Sequence, residues 1–375
     1  MKWYREGSFT LITDSYATWV TQYRKTIRQL GTDFYLAFFP LLKDREATVE
    51  HYIVVFDDWP DFIEYAATDG VPGWVVAGYF SPKTEILVLF NMLGDRFASL
   101  IEEVCLQLPG QAMDQAVASV ESQVDQRRHV FIEGKAHDVM KKFSALHSVM
   151  RGMYREKTVE TLRHELTHAL FHNYSLQTVV VSNVKGYDPK EAEQKRSFLE
   201  EKDIQKKREL LLELLQMKES QAKPLQMEAS NSWFVEGLAT YMEAAPLGAT
   251  NKRWLYAYQK ARKENALFPV EHLTVYKMGS FPGIALYAME SAYAQSWAFV
   301  YFLIDRYPDA FMKYLERISR ETPKENEDIL WLLGALGKDL RGLDAEYQDY
   351  MKQFPELEDP YLEEFDMIRS IFQGV

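Results

Sequence analysis

The chain has 375 residues, of which 47% are hydrophobic and 26% are charged, and these proportions are typical of a globular protein. Its net charge of −12 at pH 7 argues against nucleic acid as a partner, because phosphate binding requires a basic surface. The single cysteine, Cys105, excludes an intrachain disulfide and therefore a fold that depends on disulfide bonds.

No segment has the roughly 18 consecutive apolar residues that a membrane-spanning helix requires, so we expect no membrane span. The most apolar stretch, residues 71–93, is interrupted by Lys83 and Glu85. The opening residues, MKWYRE, lack the apolar region of a signal peptide, which favours a cytoplasmic location. A true start upstream of this sequence would leave export open.

The first predicted element is a helix over residues 14–30, where apolar residues recur at helical spacing. Asp14 or Ser15 could accept hydrogen bonds from the first backbone N–H groups of this helix. Gly31 is typical of the position just after a helix, so we expect the helix to end there.

Strand signals follow. Residues 51–58 (HYIVVFDD) are rich in residue types that favour strands, and so are residues 74–80 (WVVAGYF) and 85–91 (EILVLFN). The residues SPK at 81–83 predict a hairpin turn between the last two runs. The front of the chain therefore predicts a small sheet.

Beyond the predicted hairpin, the apolar spacing is helical almost throughout. The predicted helices are 95–107, 138–152, 156–172, 232–244, 288–306, 309–319 and 340–353. Residues 188–222 differ, because they are dense in Glu, Lys and Gln, and they predict a long exposed helix or helical hairpin.

This order of elements predicts an α+β fold, with a small mixed sheet in the N-terminal part and a mainly helical C-terminal part. We divide the chain into a sheet-containing part (1–172), a charged helical insertion (173–230) and a second helical part (231–375).

The chemistry is concentrated in the sequence HELTH at residues 164–168. Residues four apart lie on the same face of a helix, so the imidazoles of His164 and His168 can bind one metal ion. Glu165 can reach a water molecule at the ion's open coordination position. The H-E-x-x-H pattern thus combines two metal ligands with one residue that can accept a proton from that water. The alternative is that the two histidines only pack or cap.

A catalytic zinc ion usually has three protein ligands and one water molecule, so a third ligand must lie elsewhere. His172 cannot serve, because about 12 Å of helix axis separate it from His164. We expect His172 to support or pack near the site. Glu236 is the better candidate, because a carboxylate buried on the helix at 231–244, which has an apolar face, needs a compensating partner. Gly237 would let another helix approach closely; a salt-bridged core glutamate is the alternative.

The pair HELTH and WFVEGLATYME (233–243) resembles the motifs of the gluzincin metallopeptidases, the clan of thermolysin and aminopeptidase N. The second motif is closer still to an uncharacterised bacterial peptidase-like family with the pattern WFxEGLAxY. The segments SFTLITDSY (8–16) and GWVVAGYFSPKTEILVL (73–89) also look like that family. The resemblance thus extends over residues 8–315, with gaps.

Carried over residue by residue, the resemblance implies one zinc ion per chain, bound by His164, His168 and Glu236. It implies that Glu165 is the general base. Glu243 matches an acidic residue of the aminopeptidase motif and would orient a ligand histidine.

The segment SAYAQSWAFVYFLIDRY (291–307) resembles the gluzincin helix whose tyrosine stabilises the oxyanion. Tyr293 matches that tyrosine, and Tyr287 is a second candidate for the role. The alternative is that Tyr293 is one more packing aromatic among 22 tyrosines.

The resemblance implies a thermolysin-like catalytic domain that hydrolyses peptide bonds in a peptide or protein substrate. Glu165 would take a proton from the attacking water and pass it to the leaving amine, while zinc and Tyr293 share the charge on the carbonyl oxygen. The run WVVAGYF would be an edge strand that pairs with an extended substrate.

Other functions stay open at this stage. The same residues could belong to a zinc-binding amidase or to an inactive peptidase-like binding protein. The chain could instead be a helical interaction scaffold in which HELTH is accidental. No GAMEN-like motif precedes HELTH, so specificity for amino termini is not implied. The substrate and the oligomeric state are not determined by the sequence.

Overall fold

The computed structural model describes a sheet with its covering helices near the N-terminus and a group of helices further along the chain. The described residues are 1–15, 17–43, 51–69, 71, 76–81, 84–92, 155–174, 176, 197, 206, 210, 232–275, 286–321 and 327–359. The predicted helices 95–107 and 138–152, the turn residues Pro82 and Lys83, and nearly all of the segment 188–222 lie outside these residues.

Five strands form one mixed sheet: β1 (Lys2–Glu6), β2 (Phe9–Thr13), β3 (His51–Phe56), β4 (Gly78–Ser81) and β5 (Ile86–Phe90). Their order across the sheet is β1–β2–β3–β5–β4. β2, β3 and β5 are parallel to one another, whereas β1 and β4 are antiparallel to their neighbours. The predictions of strands within 51–58, 74–80 and 85–91 and of the hairpin are confirmed; β1 and β2 were not predicted.

The central strands are buried on both faces, because successive residues of a strand point to opposite sides of a sheet. β3 contributes Val55 to one core and Val54 to the other. The helix α1 (Ala17–Leu42) covers the first face, and α2 (Trp59–Thr68) covers the second.

The prediction that the first helix ends at Gly31 is wrong. α1 continues to Leu42, with a kink at Phe38 (φ −112°, ψ 16°). Phe34, Phe38 and Leu42 are buried at helical spacing, and their packing outweighs the roughly 1 kcal/mol that a glycine costs inside a helix.

The remaining regular elements in the described residues are helices. The helices are α3 (155–173), α4 (Ser232–Met242), α5 (Lys252–Lys263), α6 (Val270–Val275), α7 (Leu286–Arg306), α8 (Pro308–Ile318), α9 (Glu327–Leu336) and α10 (Leu340–Met351). The predictions at 156–172, 232–244, 288–306, 309–319 and 340–353 are confirmed, and so is the α+β class with a small N-terminal sheet. None of the helices in the described ranges is long and apolar enough to cross a membrane.

Candidate metal centre

Two histidines of α3, His164 and His168, lie one turn apart and face the same way. Their Nε2 atoms are 3.2 Å apart, and their side chains are 13% and 12% exposed. On the other side of α3, Leu162, Leu166 and Ala169 are completely buried. Packing of this apolar side therefore turns the histidines toward the partly open side of the helix.

Glu236 reaches the histidines from α4, where it is the one residue that is not buried. Gly237 explains how α4 can lie so close to α7. A Cβ atom at this position would be 2.5 Å from the carbonyl oxygen of Ser296 and 2.8 Å from Cγ2 of Val300. The sequence predicted a close approach at Gly237, and the structure shows it.

The three predicted ligands converge. Oε2 of Glu236 lies 3.1 Å from Nε2 of His164 and 3.6 Å from Nε2 of His168. One candidate ligand atom from each residue lies within 4.8 Å of the others, and among the described residues no other His, Cys, Asp or Glu group meets this condition. Ligand bonds of about 2.0–2.1 Å at tetrahedral angles place two donor atoms about 3.4 Å apart, so these separations suit one zinc ion.

The charges around these atoms favour a cation. Burial opposes charge on His164, but hydrogen bonds with Glu236 and Glu243 and the charge of Glu165 raise its pKa to about 10. Burial also opposes charge on Glu236, yet His168 and His164 lower the pKa of that carboxyl well below its ordinary value. Positive charge is therefore stabilised where these side chains meet.

Glu243 orients His164 from the far side of the ring. Its Oε1 accepts a hydrogen bond from Nδ1 of His164 at 2.9 Å, and its Oε2 accepts from Trp254 Nε1 at 2.7 Å and from Asn251 Nδ2 at 3.3 Å. Because the carboxylate accepts from Nδ1, Nε2 is the nitrogen of His164 that faces the other ligands, and it can bind an ion once it has lost its proton. The resemblance implies the same place for Glu243.

Glu165 lies beside the ligands and against the edge strand β4. Burial raises the pKa of its carboxyl, although His164, His168 and a hydrogen bond from the backbone of Phe80 act in the opposite direction. The higher pKa makes this carboxylate a better proton acceptor than a solvent-exposed glutamate.

Tyr293 reaches the site from α7, where its hydroxyl interacts with the carboxylate of Glu236. The centroid of its ring lies 6.3 Å from that of the His164 ring. The same ring stacks on Trp254, with 6.1 Å between the two centroids. Burial, together with the neighbouring carboxylates, raises the pKa of Tyr293 well above 10.0, so the hydroxyl is a donor at neutral pH. The side chain of Tyr287 lies outside the described part of the structure.

His172 lies one turn beyond His168, outside the ligand group. Its Nε2 is 3.4 Å from Oε1 of Glu85, and its ring centroid is 5.5 Å from that of Phe80. His172 therefore contributes to the contact between α3 and the β4–β5 hairpin.

Sequence analysis did not identify Trp254, Asn251 and the Phe80 backbone as parts of this site. The sequence does contain a signal for Asn251, because asparagine is a preferred N-cap residue. In the structure Asn251 is the N-cap of α5, and its side chain accepts a hydrogen bond from the backbone N–H of Trp254. No local pattern marks its second contact, with the side chain of Glu243 across the loop between α4 and α5.

Comparison with known proteins gives a partial match. A family model described as "Protein of unknown function (DUF1570)" matches residues 224–325. This range contains Glu236, Glu243 and Tyr293 but not the HELTH sequence. No curated protein matches the chain. The helical part that carries Glu236 is thus similar to a family whose description names no activity.

Proposed function

We propose that this chain is a zinc-dependent peptidase of the gluzincin type, with a thermolysin-like catalytic domain. Its one zinc ion would be bound by His164, His168 and Glu236. The observation that carries the proposal is the convergence of these three donor groups from two helices that are far apart in the chain. A salt-bridged core glutamate needs one cationic partner, whereas here two imidazole nitrogens and a carboxylate oxygen meet at separations suited to zinc.

Zinc bound at these residues would supply a Lewis acid that lowers the pKa of a water molecule toward neutrality. Glu165, on the same helix as the two histidines, would accept the proton as the water attacks a carbonyl carbon, and would then pass it to the leaving amine. The hydroxyl of Tyr293 would donate a hydrogen bond to the carbonyl oxygen as negative charge develops there. Glu243 would keep the ring of His164 in its tautomer and orientation.

The substrate would bind in extended form along β4. This strand is at one edge of the sheet, and the backbone of its residue Phe80 contacts Glu165. A peptide that added a strand to this edge would place its backbone next to the general base. Side chains on either side of the bond to be cleaved would then meet the residues around α3 and α7.

The site would lie between the two larger parts of the chain. We assign residues 1–172 to the sheet-containing part, which ends with α3, and residues 231–375 to the helical part, which begins with α4. Residues 173–230 between them would be a charged helical insertion.

Elemental analysis of the purified full chain is the first test. We expect about one zinc ion per chain after purification with zinc, as a site with three protein ligands would bind. A strong chelator should remove the ion. A chain that retains no zinc under these conditions would support the interaction scaffold and overturn the proposal.

Digestion of a peptide library, followed by mass spectrometry, tests the activity. We expect cleavage by the zinc form and a loss of about 10²–10⁴-fold in turnover for Glu165→Gln, with zinc retained. A zinc-bound wild type that cleaves no peptide would favour an amidase or a peptidase-like binding protein. Equal cleavage by Glu165→Gln would exclude Glu165 as the base.

A further inference from the structure

A buried arginine next to the first histidine has no role in the chemistry proposed above. The side chain of Arg163 is 2% exposed. A buried guanidinium costs free energy unless its N–H groups have partners. One partner is Asp33 of α1, whose Oδ2 lies 3.3 Å from Nη2 and whose side chain is 20% exposed.

Shorter hydrogen bonds join Arg163 to the end of α4. Its Nε donates to the carbonyl oxygen of Met242 at 2.8 Å, and its Nη2 donates to that of Ala244 at 2.7 Å. Met242 is the last residue of α4, where carbonyl groups have no partner within the helix and attract positive charge. The residue between these two carbonyls is Glu243.

Arg163 and His164, adjacent on α3, thus contact the same short segment of chain. Arg163 binds the backbone on both sides of Glu243, and His164 binds the carboxylate of Glu243 through Nδ1. Trp254 donates to the same carboxylate and limits its rotation. Backbone and side chain at position 243 are therefore both constrained from α3.

We propose that Arg163 is a positioning residue of the metal centre. By fixing the backbone around Glu243, it places the carboxylate that sets the ring orientation of His164. This inference rests on the proposed zinc site, and it concerns a residue that touches neither the ion nor a substrate.

The test measures zinc affinity by competition with a chelator. Arg163→Lys keeps a positive charge but lacks the rigid fork that binds two carbonyls, so we expect the zinc dissociation constant to rise about 10–100-fold. The visible absorption of the Co²⁺ form, which reports ligand geometry, should change as well. Arg163→Gln, which removes the buried charge, is expected to behave in the same way.

Asp33→Asn is the matched control, because it alters the other partner of the guanidinium and leaves both bonds to α4. We expect its zinc dissociation constant to change by less than about threefold. Glu243→Gln tests whether Arg163 acts through Glu243. In a chain that already carries Glu243→Gln, the addition of Arg163→Lys should weaken zinc binding by less than about a further threefold.

Three outcomes would overturn the inference: wild-type zinc affinity in both Arg163 variants, an equal loss in Asp33→Asn, or a full additional loss in the Glu243→Gln background. A wild-type chain that binds neither Zn²⁺ nor Co²⁺ would overturn the proposed function and the inference together. Zinc binding by the wild type with no effect at Arg163 would overturn the inference alone.

Discussion

Two buried polar clusters of this chain differ in how donors and acceptors are matched. One is the metal centre. The other, the strand-end network, lies at the carboxyl ends of β2, β3 and β5 and consists of Ser15, Tyr23, Asp57 and Asn91. The hydroxyl of Ser15 and the amide of Asn91 donate to Oδ1 of Asp57 at 3.0 and 2.5 Å, and the hydroxyl of Tyr23 donates to Oδ1 of Asn91 at 2.6 Å.

The metal centre brings acceptors together instead. Nε2 of His164 lies 3.1 Å from a carboxylate oxygen of Glu236 and 3.2 Å from Nε2 of His168, and each of these three atoms accepts a hydrogen bond unless it is protonated. A network in which each donor meets an acceptor stabilises a fold by itself. Converging acceptors require a proton or a metal ion, and this difference distinguishes a structural cluster from a binding site.

The largest expected effect is the loss of the ion. Glu236→Gln keeps the size of the side chain but replaces the carboxylate with a neutral amide, which is a far poorer zinc ligand. We expect zinc content to fall from one ion to below about 0.1 per chain. Full zinc content in this variant would contradict the ligand assignment.

The strand-end network should respond in the opposite way. Asn91 is completely buried, and Asn91→Ala leaves the Tyr23 hydroxyl without its acceptor and removes one donor from the Asp57 carboxylate, which keeps the Ser15 hydroxyl. We expect the unfolding free energy, measured with denaturant, to fall by about 3 kcal/mol, with zinc affinity unchanged. Weakened zinc binding at unchanged stability would remove the distinction between the two clusters.

Within the metal centre, Tyr293→Phe should affect the reaction but not the ion. We expect kcat for a cleaved peptide to fall about 100-fold, because one hydrogen-bond donor to the developing oxyanion is lost. Tyr301→Phe is the matched control on the same helix, since the Tyr301 hydroxyl contacts the carbonyl oxygen of Gly248 at 3.4 Å. An equal fall in both variants would indicate a structural effect on α7.

The smallest expected effect concerns Asp328, a buried carboxyl group that belongs to neither of the two clusters. Burial raises the pKa of its carboxyl from 3.8 to about 6, although the backbone of Ile329 and the side chains of Trp233 and Tyr314 act in the opposite direction. A carboxyl with a higher pKa in the folded state stabilises the fold fully below about pH 4, and this contribution is lost as the pH rises through about 6.

Replacement of Asp328 by Asn removes that titration. Relative to Asp328→Asn, the unfolding free energy of the wild type should therefore fall by about 2 kcal/mol between about pH 4 and pH 7. Denaturant unfolding over this pH range measures the difference. Parallel curves for the two proteins would show that the neighbouring donors compensate the buried charge.

Local patterns were sufficient for the regular elements with strong periodicity. The β-rich run at 51–58 and the apolar spacing of 156–172 predict β3 and α3, because strand and helix periodicity act over a few residues. β1 escaped prediction because its sequence, KWYRE, mixes charged and aromatic residues. α5 escaped because the sequence KRWLYAYQKARK is dominated by polar residues.

One local signal failed because tertiary packing outweighs it. Gly31 was predicted to end the first helix, but packing of the following turns carries the helix through it. These tertiary contacts outweigh a preference of about 1 kcal/mol.

The sequence by itself determined that His164 and His168 share a helical face, with Glu165 beside them, because this spacing is a property of any α-helix. It also marked Glu236 as a carboxylate on a helix with an apolar face. Only the tertiary structure decided that Glu236 meets the histidines, that Glu243 binds Nδ1, and that Arg163 binds the end of α4. These contacts depend on the distance and register between packed helices, which packing determines and no local pattern encodes.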